Sequence, residues 1–309
     1  MRTSQGAPAG KVHGVLVTYR RPDGLAEMLA RVAEPGSGLS SLVIVDNAPS
    51  RASEAVVAHA TPVVPIAYVA MAENVGPAGG IAAGMARVLE QADDQDWMLV
   101  LDDDNPPHEP DGILQVHAFA SALVARGMAV GAVGIAGARL NRWTGTLRTP
   151  ADHELHGAID VDYVAGGQLL MASVRAVRRC GVHDARLFFG FDDLDFCLRL
   201  KAGGFSVFVD GEQLSSARAR KRSSRGPGRG SKTSVWRRYY AARNLIVVMR
   251  RFGRPGSALV VTAVQVLSRP LADLVRRRSP MLRYSGAGVR GAVDAWRGRL
   301  GRVVEPVGP

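Results

Sequence analysis

Two acidic clusters carry the strongest chemical signal in this chain. Asp102-Asp103-Asp104 follows directly on the apolar run Met98–Leu101. Three adjacent carboxylates repel one another at the edge of a core unless a cation neutralises them. Side chains alternate along an extended chain, so Asp102 and Asp104 can face one ligand together. Oxygen ligands suit Mg2+ or Mn2+, and Mg2+ takes one or two carboxylates and completes its shell with substrate phosphate. The competing reading is a solvated acidic turn. The second cluster is Asp192-Asp193-Leu194-Asp195, behind Phe188–Phe191 and at the start of a helical pattern that stops at Gly203-Gly204. The helix macrodipole favours acids there. Three acids in four residues exceed what that compensation needs, and a carboxylate so placed can serve as a general base.

A third candidate is the turn Asn74-Val75-Gly76-Pro77-Ala78-Gly79-Gly80, which leads into a helix expected over Gly80–Gln91. Glycines let backbone approach a ligand closely, and a helix N-terminus offers N–H groups to phosphate. The spacing is neither the dinucleotide fingerprint nor a P-loop, and an ordinary strand-to-helix turn explains it as well.

Strands and helices must position these groups. Val12–Thr18, Leu42–Ser50, Val63–Ala70 and Trp97–Asp102 read as strands, with helical patterns at Asp23–Val32 and after Gly80. Gly131–Arg148 is glycine-rich and resists assignment. Val161–Ser173 reads as a strand, a Gly166-Gly167 turn and an apolar segment, with a short helix at Arg175–Cys180 and a last strand at Ser206–Asp210. The alternation predicts an α/β layer with a mainly parallel sheet. Ligands bind beyond the carboxyl ends of such strands, where Thr18, Asp46 and Asp102–Asp104 fall.

Charge divides the chain. Of 309 residues, 1–212 carry net −8 and 213–309 carry net +19. We therefore expect an acidic body, 1–212, and a basic region, 213–309, with helical patterns at Val235–Arg251, Ser257–Leu267 and Gly288–Leu300. The run Arg218–Arg238 reads as a loop that is either solvated or closes over phosphates. Two cysteines exclude a disulfide framework and a cysteine-based zinc site. The seven histidines show no metal-ligand pairing. The N-terminus lacks the apolar core of a secretory signal, and the longest apolar stretch of the basic region, Ala258–Leu267, is too short to span a bilayer. Basic amphipathic helices suit an anionic membrane surface. The expected location is cytoplasmic, with peripheral contact at the inner face of the membrane as one option and a helical lid as the other. No recognised nucleic-acid motif is present.

The ordered set VLVTYRRP with a later IVDN, NVGPAGG before a helix, DDD after an apolar strand, and GG followed by FFGFDDLDFCLRLKAGG resembles the inverting GT-A glycosyltransferases of family two. The bacterial rhamnosyl- and galactofuranosyltransferases are the most similar branches. YYAARN, Tyr239–Asn244, is a looser match, and coverage runs from about Val12 to Asn244. The resemblance implies a Rossmann-like GT-A fold with a mixed, mainly parallel sheet. It implies transfer of a sugar from a UDP- or dTDP-sugar to an acceptor hydroxyl with inversion. Thr18, Tyr19, Arg20 and Asp46 would meet the nucleoside, and Asn74, Gly76, Gly79 and Gly80 the donor. Asp102 and Asp103 would serve the diphosphate, and Asp102 and Asp104 a Mn2+ or Mg2+ ion. Asp193 would be the general base, supported by Asp192 and Asp195, with Gly166 and Gly167 on the acceptor side. The acceptor class stays open among glycan, glycolipid and small molecule, and a homo-oligomer is compatible.

One departure matters. Many relatives carry a histidine about two dozen residues beyond the base, but Leu214–Arg222 reads LSSARARKR and no histidine follows His183. Metal dependence is therefore open, and nearby Arg and Lys are alternatives for neutralising the diphosphate. Two other functions stand beside this reading. One is nucleotide-sugar binding without catalysis. The other is nucleotidyl transfer, which lacks its glycine-rich loop after Thr18.

Overall fold

The computed structural model describes residues 10–32, 36–60, 64–107, 109, 111–223, 234–268 and 281–306. Strands β1 (Val12–Thr18), β2 (Ser41–Asp46), β3 (Ile66–Ala70) and β4 (Trp97–Asp102) alternate with helices α1 (Pro22–Val32), α2 (Arg51–His59) and α3 (Gly76–Leu89). Helix α4 (Gly112–Ala125) leads to β5 (Val130–Gly134), and β6 (Gly137–Leu140) and β7 (Leu147–Arg148) form a hairpin. The chain continues through β8 (Ala158–Asp160), β9 (Tyr163–Val164), β10 (Met171–Ser173), α5 (Val174–Cys180), α6 (Asp192–Ala202), β11 (Ser206–Asp210) and α7 (Gly211–Ser223). Helices α8 (Val235–Phe252) and α9 (Ser257–Ala263) follow, then a π-helical turn (Val264–Ser268) and α10 (Met281–Trp296).

Eight strands form one sheet in the order β3-β2-β1-β4-β10-β5-β11-β8. Pairing is parallel from β3 to β4 and between β5 and β11, while β10 and β8 run antiparallel. A small antiparallel sheet, β7-β6-β9, stands beside it. Strands β1 and β2 are buried along their whole length, as mainly apolar strands in a sheet covered on both faces must be. One core fills the α3/α6 face and a second the α1/α4 face. A third joins Leu194 and Leu198 of α6 to Ile246 and Val248 of α8, so α8 shares its apolar packing with the acidic helix.

Several expectations change. The strand expected to run to Ser50 stops at Asp46, because Ser50 caps α2 through reciprocal hydrogen bonds with Ser53. Helix α3 starts at Gly76 rather than Gly80, with Pro77 in its first turn, where a missing N–H costs nothing. The basic run expected as a loop is helical at both ends of its described part, in α7 up to Ser223 and in α8 from Val235. Residues 224–233 of that run, and His108, lie outside the described residues.

A carboxylate cleft as the candidate active site

The ends of β1 and β4 sort the three adjacent acids. Thr18 Oγ1 donates to Asp103 Oδ2 at 2.7 Å, and Arg21 Nε lies 3.8 Å from the same carboxylate. Asp103 is thereby turned back toward β1. Asp104 is exposed, 3.5 Å from Arg21 Nη1. Asp102 faces the Gly166-Gly167 turn that precedes β10. A Cβ on Gly167 would stand 2.9 Å from Asp102 Oδ2 and 3.0 Å from Asn105 Nδ2, and its φ of +68° is itself a glycine conformation. Asn105 Nδ2 also donates to the Gly167 carbonyl, fixing the turn.

Asp193 reaches the same turn from the other side. Its Oδ2 accepts from Gly166 N–H at 3.0 Å and its Oδ1 from Leu194 N–H at 2.8 Å. A Cβ on Gly166 would lie 4.0 Å from Asp102 Oδ2 and 4.0 Å from Asp193 Oδ2. The two carboxylates are therefore no more than about 8 Å apart, with bare glycine backbone between them.

Crowding shows in their proton affinities. Asp102 is pushed up to about 7, first by burial and then by repulsion from Asp104, Asp192, Asp103 and Asp193. Asp193 is pushed up to about 6, first by burial and then by Asp192, while the Gly166 and Leu194 N–H groups and His183 pull the other way. Burial also raises Asp103, against the pull of Thr18 and Arg21. Carboxylates held this far up beside a cleft make these residues candidates for a functional site.

The loop that delivers Asp192 and Asp193 is strained and clamped. Phe188 and Phe191 both adopt φ of 62°, which costs about 1–3 kcal/mol each for a non-glycine residue. The fully buried Asn244 of α8 offsets this: its Nδ2 lies 2.9, 2.9 and 2.8 Å from the carbonyls of Leu187, Phe189 and Gly190. Its equally buried neighbour Arg243 donates to Leu187 O at 2.8 Å and to Gly301 O at 2.7 Å. Tyr240 Oη holds the segment after Gly301, donating to Val304 O and accepting from the Val303 and Val304 N–H groups.

The remaining expected residues fall in several places. Asp46 is buried, with Oδ1 accepting from Ala48 N–H and Oδ2 from Tyr68 Oη. Tyr19 and Arg20 lie at the surface beyond β1, the guanidinium 5.1 Å over the ring and Arg20 at φ 55°. Asn74 accepts from Gly76 N–H, and Ala78 N–H goes to Phe188 O, so two N–H groups at the α3 N-terminus are used within the protein. Gly79 and Gly80 are buried against Val75 and Val17, where a Cβ would sit 2.7 Å from side-chain carbons. Asp195 is not brought to the cleft. It is 0% exposed and held by Arg199 Nε at 3.0 Å and Arg251 Nη1 at 2.6 Å. The cations proposed for the diphosphate meet acids instead: Arg218 and Arg222 pair with Asp152, and Arg220 with Glu109.

Sequence reasoning missed four residues. Asn47 holds the glycine turn, donating to Gly76 O at 3.0 Å. Asn105 and Asn244 do comparable work on the other two turns. His183 is buried, stacked 4.4 Å from Phe196, with Nδ1 3.2 Å from Asp192 Oδ2. Asn47 and Asn244 carried a signal, through the IVDN and YYAARN matches.

Two hollows flank the glycine turn. One, about 330 Å³, is lined by Asn105, Gly167, Gln168, Gln213 and Arg220. The other, about 270 Å³, has Asp193 among walls of Tyr163, Phe189, Phe191 and Arg237.

A mostly parallel sheet whose carboxyl edge gathers acids from two separate segments is an arrangement that several classes of nucleotide-using enzyme share. The profile described as Glycosyl transferase family 2 matches residues 15–146. Galactofuranosyltransferase GlfT1 of Mycobacterium tuberculosis is 30% identical over 218 residues, which cover 66% of this chain and 69% of that protein. The chain belongs to glycosyltransferase family 2. Among solved structures, mannosyltransferase PcManGT from Pyrobaculum calidifontis, in complex with GDP-Man and Mn2+, is 16% identical, with 94% of this chain and 88% of that chain covered at a TM-score of 0.52. GalNAc-T7 with UDP, GalNAc and Mn2+ is 11% identical, with 67% and 43% covered at 0.51. These two likenesses establish the GT-A fold.

Proposed function

We propose that this chain transfers a sugar from UDP or dTDP to an acceptor hydroxyl with inversion, with Asp193 as the general base. The observation that carries the reading is the convergence of Asp102 and Asp193 on Gly166. One carboxylate stands on the strand-end side, where a donor diphosphate belongs. The other stands across bare backbone, at the hollow an acceptor can enter.

Among the described residues no group of three or more His, Cys, Asp and Glu is poised around one point. Asp102 and Asp104 form the two-carboxylate set that Mg2+ or Mn2+ combines with phosphate oxygens. The repulsion that raises Asp102 is of the kind a dication relieves. Those two residues would hold the ion, which when bound neutralises charge growing on the leaving diphosphate. Asp104 must then exchange Arg21 for the ion.

The protein's own part is proton transfer and positioning. Asp193 Oδ2 takes the acceptor proton as the hydroxyl oxygen bonds to the anomeric carbon. The bond from that carbon to the diphosphate oxygen breaks on the opposite face, and the nucleoside diphosphate leaves with the electron pair. So good a leaving group needs no acid. Gly166 N–H holds Asp193 on line, and burial, with Asp192 beside it, keeps its proton affinity high enough for a base near neutrality. Gly166 and Gly167 leave the path between donor and acceptor open.

A panel of UDP- and dTDP-sugars, with and without Mn2+, tests this by thermal shift and by NMR of the product's anomeric configuration. We expect one donor to raise the melting point and the product to be inverted. Retention of configuration, or full turnover by Asp193→Asn, would refute the assignment of the base.

A further inference from the structure

We infer that the corner of the molecule built by α9, the π-helical turn, α10 and the tip of the β6–β7 hairpin docks on an anionic lipid bilayer. Ten large hydrophobic side chains are exposed among the described residues, and eight of them lie in this corner. Val260, Val264 and Leu267 recur at helical spacing along α9 and the π turn, and Val289, Val293 and Trp296 do the same along α10. Each set makes one stripe on its helix. The stripes adjoin: Trp296 Nε1 donates to Thr262 Oγ1 at 2.9 Å, one turn from Leu259, and α10 packs on the π turn. The hairpin tip closes the third side, because a Cβ on Gly145 would lie 2.9 Å from Val261, and Trp143 stands two residues away. Leu259 is 63% exposed, Leu267 66%, Trp143 58% and Trp296 43%. Leucines left this open, in a continuous patch, mark a contact surface rather than stray surface residues.

Charge decides the occupant. Arg250, Arg254, Arg290, Arg297 and Arg299 are exposed on or beside these elements. Arg250 lies 5.1 Å over the Trp296 ring. From Gln213 to Val304 the sequence has only two acids, Asp273 and Asp294. Asp294 is buried and accepts from Tyr239 Oη at 2.7 Å, so it adds no exposed negative charge to α10. An apolar face with two tryptophans and a rim of arginine matches acyl chains below and acidic headgroups around. A second copy of the same face would bring arginine against arginine. No described helix is long and apolar enough to cross a membrane, so the contact is one of lying on the surface.

Sedimentation of the whole chain with vesicles tests the inference. Vesicles of about one-third phosphatidylglycerol in phosphatidylcholine should bind the protein roughly tenfold or more tightly than phosphatidylcholine alone, with a blue shift of tryptophan emission and weakening at high salt. Leu259→Glu with Leu267→Glu should abolish binding to both vesicle types. Arg297→Glu with Arg299→Glu should remove the preference for phosphatidylglycerol. Both pairs should keep the wild-type thermal shift with UDP. The inference fails if wild type shows no anionic preference or if the leucine pair binds unchanged. It also fails if light scattering shows a dimer that the leucine pair splits, since a second copy is then the occupant. Loss of UDP binding in the wild type would instead sink the donor reading and leave this one standing.

Discussion

Asp193→Asn should stabilise the fold while stopping the reaction. Burial and Asp192 raise this carboxyl from its ordinary 3.8 to about 6. A shift of about two units corresponds to about 3 kcal/mol of preference for the neutral form. The sign follows from linkage. A carboxyl whose folded proton affinity exceeds its unfolded one destabilises the fold once ionised, fully above about pH 6 and not at all below about pH 4. Asparagine removes that penalty but weakens the charge-assisted bonds from Gly166 and Leu194 N–H, at about 0.5–1 kcal/mol each. The repulsion is shared with Asp192, so only part of it belongs to Asp193. The net gain should be about 1–2 kcal/mol, or about 2–4 °C in melting temperature at pH 8. Differential scanning fluorimetry of both proteins at pH 8 and pH 4 checks it: the gain should be present at the first and vanish at the second. Turnover should fall by at least about 100-fold. A variant equally stable or less stable at pH 8 would refute the electrostatic account. So would a gain that persists at pH 4.

The same group sets the rate profile: activity should rise with pH through an acid limb near 6 and level off above it, read from kcat/KM at saturating metal. Asn244→Ala removes the side-chain donor from the half-buried carbonyls of Phe189 and Gly190, while Leu187 O keeps Arg243, and should cost about 1–3 kcal/mol in urea unfolding, with a larger fall in kcat than in UDP affinity. Gly76→Ala places a Cβ 2.2 Å from Phe188 O at a φ of +72°, so it should cost about 2 kcal/mol or more and lower donor and acceptor turnover together. Arg251→Ala strips one partner from the fully buried Asp195 and should destabilise by about 3 kcal/mol, while leaving the pH limb near 6 in place.

The strands that carry the acids were legible because a sheet covered on both faces demands continuous apolar runs, and such runs end where polarity begins. Met98–Leu101 before Asp102 and Leu42–Val45 before Asp46 are of that kind. Helix α4 was missed because apolar residues are scattered around most of its circumference, leaving little periodicity to read. Helix α7 was missed for the opposite reason: its arginines suggest a solvated loop, yet three of them reach Asp152 and Glu109 on other segments. Within the site, Asp102 and Asp193 announce themselves by clustering with other acids. His183 and Asn105 do not, since a lone side chain that braces a turn leaves no spacing to detect. Nor could spacing separate Asp195 from Asp193. Two positions along a helix turn a side chain by about 200°, enough to send one into the cleft and the other into the α6–α8 contact.

The stitching of Gly301–Val304 onto Tyr240 and Arg243 has a practical bearing on anyone cutting or extending this polypeptide. Those few residues are the far end of a relay through α8 to the Phe188–Phe191 bend. Trimming after Leu300 would strip partners from two buried side chains and relax the bend without touching an acid.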